Sequence, residues 1–383
     1  MHSTQAQPKD LSAQGLRGIA ALSVFFAHFF VCFFPLGLAD YYDNIAMPDA
    51  FHGVIESAIG TPVLSALWNG QFAVCIFFVL SGHVLTKSFR STGKADSIRS
   101  LAFRRYLRLG FPIFFSVMLS WVICRLGWLH IDDALRLTHS QWLAAREIHD
   151  ASLWAALKDG LYGVILLGHT DFNTVFWTMR IEFIGSMLIF SYALIAYPDH
   201  RRYMLALIYL VLTFLLSPDM WPFYWAFLIG YHLDDVPSRI PSWGLWALVP
   251  VAVYLAGFNS SPLFAPLRAI PLNESILLSF YSTAAGALIV FCVLRGMGHG
   301  FLLSRPVQFL GRVSYPLYLT HCPIILSTGC YTYVVLHGHL GMSRALAAIA
   351  ALAVSLPITL IVSAYFERWI DQPGIRFGKW LAA

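Results

Sequence analysis

Long apolar runs broken by short polar and charged stretches organise the chain from residue 15 onward. A helix that crosses the hydrocarbon core of a bilayer needs roughly 20 mostly apolar residues at about 1.5 Å each. Runs of that kind predict spans at about 15–36, 62–86, 109–129, 176–197, 203–217, 222–235, 243–258, 275–294, 313–336 and 343–366. The segment 222–235 is short and aromatic. Pro222, Pro250, Pro316, Pro323 and Pro357 fall within spans and predict kinks or broken helices, tolerable where neighbours re-satisfy the backbone. Residues 130–158 are polar and of mixed charge, and the apolar run 160–168 is too short to cross. Together they predict an external segment ending in a re-entrant or interfacial piece. The chain shows no internal repeat and no low-complexity tract, so a single membrane domain over 1–383 accounts for it. The predicted fold class is all-α and polytopic, with about ten transmembrane helices.

Charge orients these helices. Gly37 to Thr61 contains Asp40, Asp43, Asp49 and Glu56 and no Lys or Arg; the stretch after the second span carries Lys87, Arg90, Lys94, Arg99, Arg104, Arg105 and Arg108. Cytoplasmic loops collect Lys and Arg, so the basic loop is inside and the acidic one outside. If 160–170 crossed, Arg201, Arg202, Arg295, Arg305 and Arg312 would all fall outside; a piece that does not cross puts them inside and leaves both termini cytoplasmic. Composition agrees, with 58% hydrophobic and only 12% charged residues, where a soluble domain has about 25% charged. The net charge of +5 sits mostly in loops flanking the membrane, so nucleic acid is not an expected partner. The six cysteines lie in apolar runs without a C-x-x-C pair and read as buried packing residues. MHSTQAQPKD has no apolar core of its own, and the first apolar run is too long and lacks a small-residue cleavage site, so it reads as a retained span.

Ionisable groups inside spans are costly and by default mark functional positions. Arg17 opens the first span, and His28 lies eleven residues on, roughly 16 Å deeper. His321 falls roughly 12 Å into a later outward span and Glu182 roughly 9 Å below the outer edge of an inward one, which predicts two imidazoles and a carboxylate in the middle third of the bilayer. A carboxylate there requires a partner. Beside an imidazole it would fix the tautomer and raise the basicity, as a general base requires. The same trio could bind zinc or relay protons, and the plainer reading of His28 alone is a packing residue bonded to a neighbouring helix. Nearer the cytosol, Arg17, Arg104, Arg105 and Arg108 stand at inner span ends beside Ser81 and Gly82. Part of that clustering is ordinary orientation signal. Guanidinium groups that begin spans also suit a phosphorylated ligand from the cytosol, with Gly82 permitting close approach of a helix or ligand.

Arg17 and His28 with ten residues between them are followed in order by FFVLSG (77–82), RRYLRLGFP (104–112), WTMRIE (177–182) and GRVSYPLYLTHCP (311–323). In these motifs the chain resembles the acyltransferase 3 family of integral membrane acyltransferases, over about residues 11–370. The first spacing alone is a weak signal; five motifs in order, each on a suitable span, are a strong one. The resemblance implies about ten spans and transfer of an acyl group, commonly acetyl, from acyl-coenzyme A to a hydroxyl of a sugar or other small acceptor. It implies that Arg17 and His28 form the essential first-helix motif, that Arg105 and Arg108 engage the donor, and that Ser81 and Gly82 form the second-helix turn. Trp177, Thr178 and Glu182 match its Trp-[Ser/Thr]-x-x-x-Glu motif, and Ser314, Tyr315, Tyr318 and His321 its late motif. His83 departs from it, standing where the family has an aromatic, and predicts altered local packing. Some members carry an esterase-like domain after the last span; about 17 residues follow Phe366, so transfer is expected to be completed within the membrane domain.

The expectation is therefore an O-acyltransferase. Acyl-coenzyme A, acetyl-coenzyme A first of all, docks at Ser81, Gly82, Arg105 and Arg108. His28, with Arg17 on the same helix and oriented by a carboxylate such as Glu182, takes the proton of the attacking hydroxyl. Trp177, Tyr315, Tyr318 and His321 serve the substrate, and Ser81, Tyr315, Tyr318 or a helix-end amide stabilises the oxyanion. An acyl-histidine intermediate is a variant route. No metal is assigned. The expected partners are membrane lipid, the acyl-coenzyme A donor, a carbohydrate or other small hydroxylated acceptor, and a second copy of the chain as a homodimer. The compact length fits a bacterial inner membrane, although the fungal branch carries similar motifs. The competing class is a proton-coupled transporter or flippase that uses His28, Glu182 and His321 as a relay; a catalytically silent membrane sensor is the third.

Overall fold

The computed structural model describes residues 8–42, 45–47, 49–197, 201–236 and 240–381. Of the charges that orient the chain, Asp43, Arg239 and the Lys9 side chain lie outside the described residues. Those residues form helices and no strand, and their sole strand-like pairing is an isolated bridge between Ala46 and Ser140. The principal helices are α1 (Pro8–Phe33), α2 (Gly70–Thr92), α3 (Ala95–Arg125), α4 (Trp177–Ala196), α5 (Arg202–Leu216), α6 (Trp221–His232), α7 (Ser242–Ala256), α8 (Glu274–Leu294), α9 (Arg305–Ile324), α10 (Arg344–Phe366) and α11 (Gln372–Leu381). Asparagine caps start two of them: the Asn69 side chain accepts from the N–H groups of Gln71 and Phe72, and that of Asn273 from Ile276.

The all-α polytopic class read from the sequence is the one observed, with 7 helical stretches among the described residues long and apolar enough to cross a membrane. Three of the predicted spans are shorter than the roughly 20 residues a crossing needs. Helices α5 and α7 have 15 residues each and α6 has 12, so they reach about 22 and 18 Å across a core of about 30 Å. Along α5, Leu207, Val211 and Leu215 are exposed on one face, an apolar surface suited to lipid tails rather than water.

Glycine sets the crossing that matters most. A Cβ on Gly18 of α1 would strike the backbone of Leu310 and Gly311 on α9, and one on Gly311 would strike Gln14. The two helices therefore touch at backbone distance, as small residues permit in membranes. His28 and His321 each lie ten residues beyond this crossing, about 15 Å further along their helices.

The segment expected to be external and re-entrant packs back against the bundle. Helix Leu153–Lys158 continues as a π-helix over Asp159–Leu167 and runs down the flank of α3, with Gly160 against Phe114 and Gly110 facing Ile165. The chain then turns at Gly168, in the left-handed region at φ 80°, and returns to start α4. Pro323 fixes where it lands. Lacking an N–H, it leaves the carbonyl of Leu319 without its helical partner. That oxygen instead accepts from Ser116 Oγ on α3 at 2.7 Å and from Asn173 Nδ2 at 2.8 Å. Asn173 thus anchors the start of α4 at the level of Leu319, well inside the bundle.

Candidate active site

The packing of α1 against α9 brings His28 and His321 together. His321 Nδ1 lies 3.0 Å from the carbonyl of Leu317, and His321 Nε2 lies 3.0 Å from His28 Nδ1, which is itself 3.1 Å from the carbonyl of Val24. A carbonyl only accepts, so these partners assign the tautomers. His321 carries its proton on Nδ1 and offers the Nε2 lone pair. His28 faces two acceptors through Nδ1 and so carries its proton there, leaving Nε2 as an unprotonated acceptor. Cys322 completes a trio with the two imidazoles whose ligand atoms lie within 4.8 Å of one another. Those atoms could hold a metal ion only if the imidazole–imidazole hydrogen bond were given up.

Glu182 does not orient His28, contrary to expectation. It pairs with Arg105, and its Oε1 accepts from Ser81 Oγ at 2.6 Å. Arg105 Nε also donates to Ser186 Oγ at 2.8 Å. The depth count failed because α4 starts beside Leu319, not at the membrane's outer edge. Five residues past Trp177, the carboxylate has already reached the level of the inner arginines. Its requirement for a partner is met by a guanidinium.

Two cavities result. The inner one, about 430 Å³, is lined by Arg17, Arg105 and Arg108 together with Ser81, Glu182, Tyr315 and Asp371. Arg17 lies within electrostatic reach of Glu182, Arg105 and Arg108. Arg108 pairs with Asp371, just before α11, and sits over the Tyr315 ring at 5.2 Å. The outer cavity, about 620 Å³, is lined by His28, Gln71, Trp142, Arg146 and Trp177. It shares Tyr42, Gln71 and Trp177 with a further opening walled by Asp40 and Asn259, on the side that the charge pattern places outside. Val74 and Tyr318 line both main cavities and form the wall between them. The Tyr318 hydroxyl lies 2.8 Å from Thr178 Oγ1, whose own proton goes to the carbonyl of Val175 at 2.9 Å, so Tyr318 is the donor.

Other sequence expectations change in detail. Gly82 serves helix packing and not a ligand: a Cβ there would strike the Phe227 backbone on α6, just as one on Gly230 would strike Val79. Arg104 lies outside the inner cavity's lining and donates to the Ser100 carbonyl at 3.0 Å. His83 is buried and pairs with Asp234 at 3.5 Å, which ties α2 to the turn after α6. The hydroxyls considered for an oxyanion are committed elsewhere, Ser81 to Glu182 and Tyr315 to the carbonyl of Leu109 at 2.9 Å. Sequence reasoning missed Trp142, Arg146 and Asp371. Trp142 faces the His28 ring at 5.5 Å, and Arg146, one helical turn later, lies over the Trp142 ring at 4.9 Å. The W-x-x-x-R spacing was the available signal. Arg146 lies outside the spans; burial draws its pKa below the ordinary value.

A family model described as an acyltransferase domain matches residues 10–367. Among curated proteins, the chain is 24% identical to an O-acetyltransferase, PaAT-1, of Phomopsis amygdali, over 96% of this chain and 83% of that protein. It is 21% identical to acyltransferase R4 of a Phoma species, over 97% of this chain and 96% of that protein, and 21% identical to acyltransferase clz18 of Cochliobolus lunatus, with the same coverage. No solved structure gives a significant match.

Proposed function

The chain belongs to the acyltransferase family of that domain and is an acyltransferase, and from that premise we propose that it carries an acyl group, acetyl in the first instance, from acyl-coenzyme A to a hydroxyl of a carbohydrate or other small acceptor. The observation that carries the reading is the His28–His321 pair. It holds one imidazole in the tautomer a general base needs, in the wall of a cavity large enough for a small acceptor. His321 orients His28 in the place where a carboxylate was expected. The inner arginines supply the donor side: Arg17, Arg105 and Arg108 bind the phosphates of coenzyme A, and Glu182 and Asp371 hold the guanidinium groups in position.

The thioester then reaches past Val74 and Tyr318 toward His28. The acceptor hydroxyl gives its proton to His28 Nε2 as its oxygen attacks the thioester carbonyl. A C–O bond forms, the C–S bond breaks, and the departing sulfur takes the proton back from the imidazolium. Donor and acceptor enter from opposite faces, the donor from the cytosolic side. Chain length alone spoke for a bacterial inner membrane. The fungal origin of the three relatives lends that location no support, so the proposal needs only a membrane whose inner cavity faces acyl-coenzyme A.

The test is thiol release. Purified protein given acetyl-coenzyme A and a panel of hydroxylated acceptors should liberate free coenzyme A. His28→Ala should lower that rate by about 10²–10⁴-fold with coenzyme A binding unchanged. A variant within a few-fold of wild type removes His28 from the chemistry. No thiol release with any acceptor of the panel would count against acyl-coenzyme A as the donor.

A further inference from the structure

Arg146 is the sole Lys, Arg, Asp or Glu among the described residues lining the outer cavity. Its guanidinium is fixed at two points, over the Trp142 ring at 4.9 Å and through Nε, which donates to the Trp142 carbonyl at 3.2 Å. Among the described residues it has no carboxylate partner; Glu147 and Asp171 line the adjoining smaller cavity with Arg146 but form no ion pair with it. The Trp142 ring also neighbours the His28 ring, at 5.5 Å between centroids. A positive charge is thus held on an indole ring that also neighbours His28, and among the described residues its outer nitrogens make no hydrogen bond or ion pair. Stacking on an aromatic face and a planar fork suit arginine to carboxylate and phosphate groups.

We propose that the acceptor is an anion, a hydroxylated molecule whose carboxylate or phosphate is held by Arg146 while its hydroxyl meets His28. This rests on the acyl-transfer reading above and narrows its substrate class. The arrangement also serves the chemistry. As His28 takes the hydroxyl proton it becomes an imidazolium, which the nearby guanidinium would repel. An anion bound to Arg146 cancels that repulsion, so the correct acceptor makes the base easier to protonate.

The test uses the full-length purified protein saturated with coenzyme A, so that the inner arginines are occupied. Coenzyme A binding is measured first and reports on the acyl-transfer reading by itself. Inorganic phosphate and acetate are then titrated separately by calorimetry. At least one should bind saturably, tenfold or more weakly in Arg146→Gln, and with a smaller loss in Arg146→Lys, which keeps the charge but not the fork. Binding of phosphate alone assigns a phosphorylated acceptor, and of acetate alone a carboxylated one. If neither binds the wild-type protein, or if binding survives Arg146→Gln, the proposal is wrong. Thermal melting checks that Arg146→Gln is folded; if it is not, Arg146→Lys decides, and an affinity equal to wild type for both anions counts against the stacked fork.

Discussion

The inner cavity sets Arg17, Arg105 and Arg108 against Glu182 and Asp371, whereas the outer one is lined by the His28 imidazole, backed by the buried His321, and a single guanidinium. They lie on two sides of the same tyrosine. In the inner cavity each carboxylate answers an arginine, because an unpaired charge buried in a bundle is costly. In the outer cavity the base is aligned by neutral partners only, the carbonyls of Val24 and Leu317 and the second imidazole. The paired charges and the polarised imidazole thus occupy separate cavities, which under the proposed mechanism keeps charge binding apart from proton transfer. An imidazole among three arginines would resist protonation, and a carboxylate beside His28 would compete with an anionic acceptor for Arg146. On the proposed reading, the anchors for phosphate lie on one side of Tyr318 and the base on the other.

The comparison breaks most severely at Arg105. Arg105→Ala leaves Glu182 buried without its ion pair, a change that costs about 3–5 kcal/mol. We expect a large fall in thermal stability together with weaker coenzyme A binding. Arg105→Ala combined with Glu182→Gln should regain most of the stability and none of the donor affinity. If the double variant binds coenzyme A like wild type, Arg105 is an orientation marker and not a donor contact. Next in size is His321. His321→Phe removes the acceptor for His28 Nδ1–H and should lower kcat about 10–100-fold, a part of the general-base contribution, with donor KM unchanged. A shift in donor KM of similar size would mean that the two cavities are not functionally separate.

Much of this was legible in the sequence, and the failures are instructive. The all-α class with several membrane-spanning helices followed from apolar run length. His28 and His321 were marked by the cost of placing such groups within spans, and Arg17, Arg105 and Arg108 by their clustering where spans begin. That His28 meets His321 was half visible, since both sit at mid-depth. The decisive feature, a glycine crossing ten residues before each, is a matter of helix pairing that one sequence does not state. Glu182 was misplaced because its depth was counted from the membrane surface, while its helix begins inside the bundle at Asn173. Asp371 and Arg146 went unnoticed because they stand outside the spans, where a charge costs little and so signals little.

Asp371 offers a gain of function. It pairs with Arg108 in the lining of the inner cavity, where a donor phosphate bound as proposed would compete with it. Asp371→Asn should lower the donor KM by a few-fold, with a matching rise in ionic-strength sensitivity as Arg108 turns to phosphate. An unchanged KM would show that Arg108 meets the donor with its remaining N–H groups while still paired.

The smallest effect is expected at the wall itself, and it discriminates best. The Tyr318 hydroxyl donates to Thr178 Oγ1 at 2.8 Å and is also near the carbonyl of Val175 at 3.4 Å. As a structural tie, Tyr318→Phe loses one neutral hydrogen bond, about 1 kcal/mol, and keeps the ring that separates the cavities. The rate should then change by no more than a few-fold. If the hydroxyl instead swings to the thioester and donates to the developing oxyanion, the same substitution should cost about 10²–10³ in kcat. Thr178→Val sharpens the choice. It removes the resting partner without touching the tyrosine, so a purely structural hydroxyl would lose its tie and loosen the wall, while a catalytic one would be freed toward the reaction. Slower turnover in both variants marks a wall; a large loss in Tyr318→Phe with unchanged or faster turnover in Thr178→Val marks an oxyanion donor.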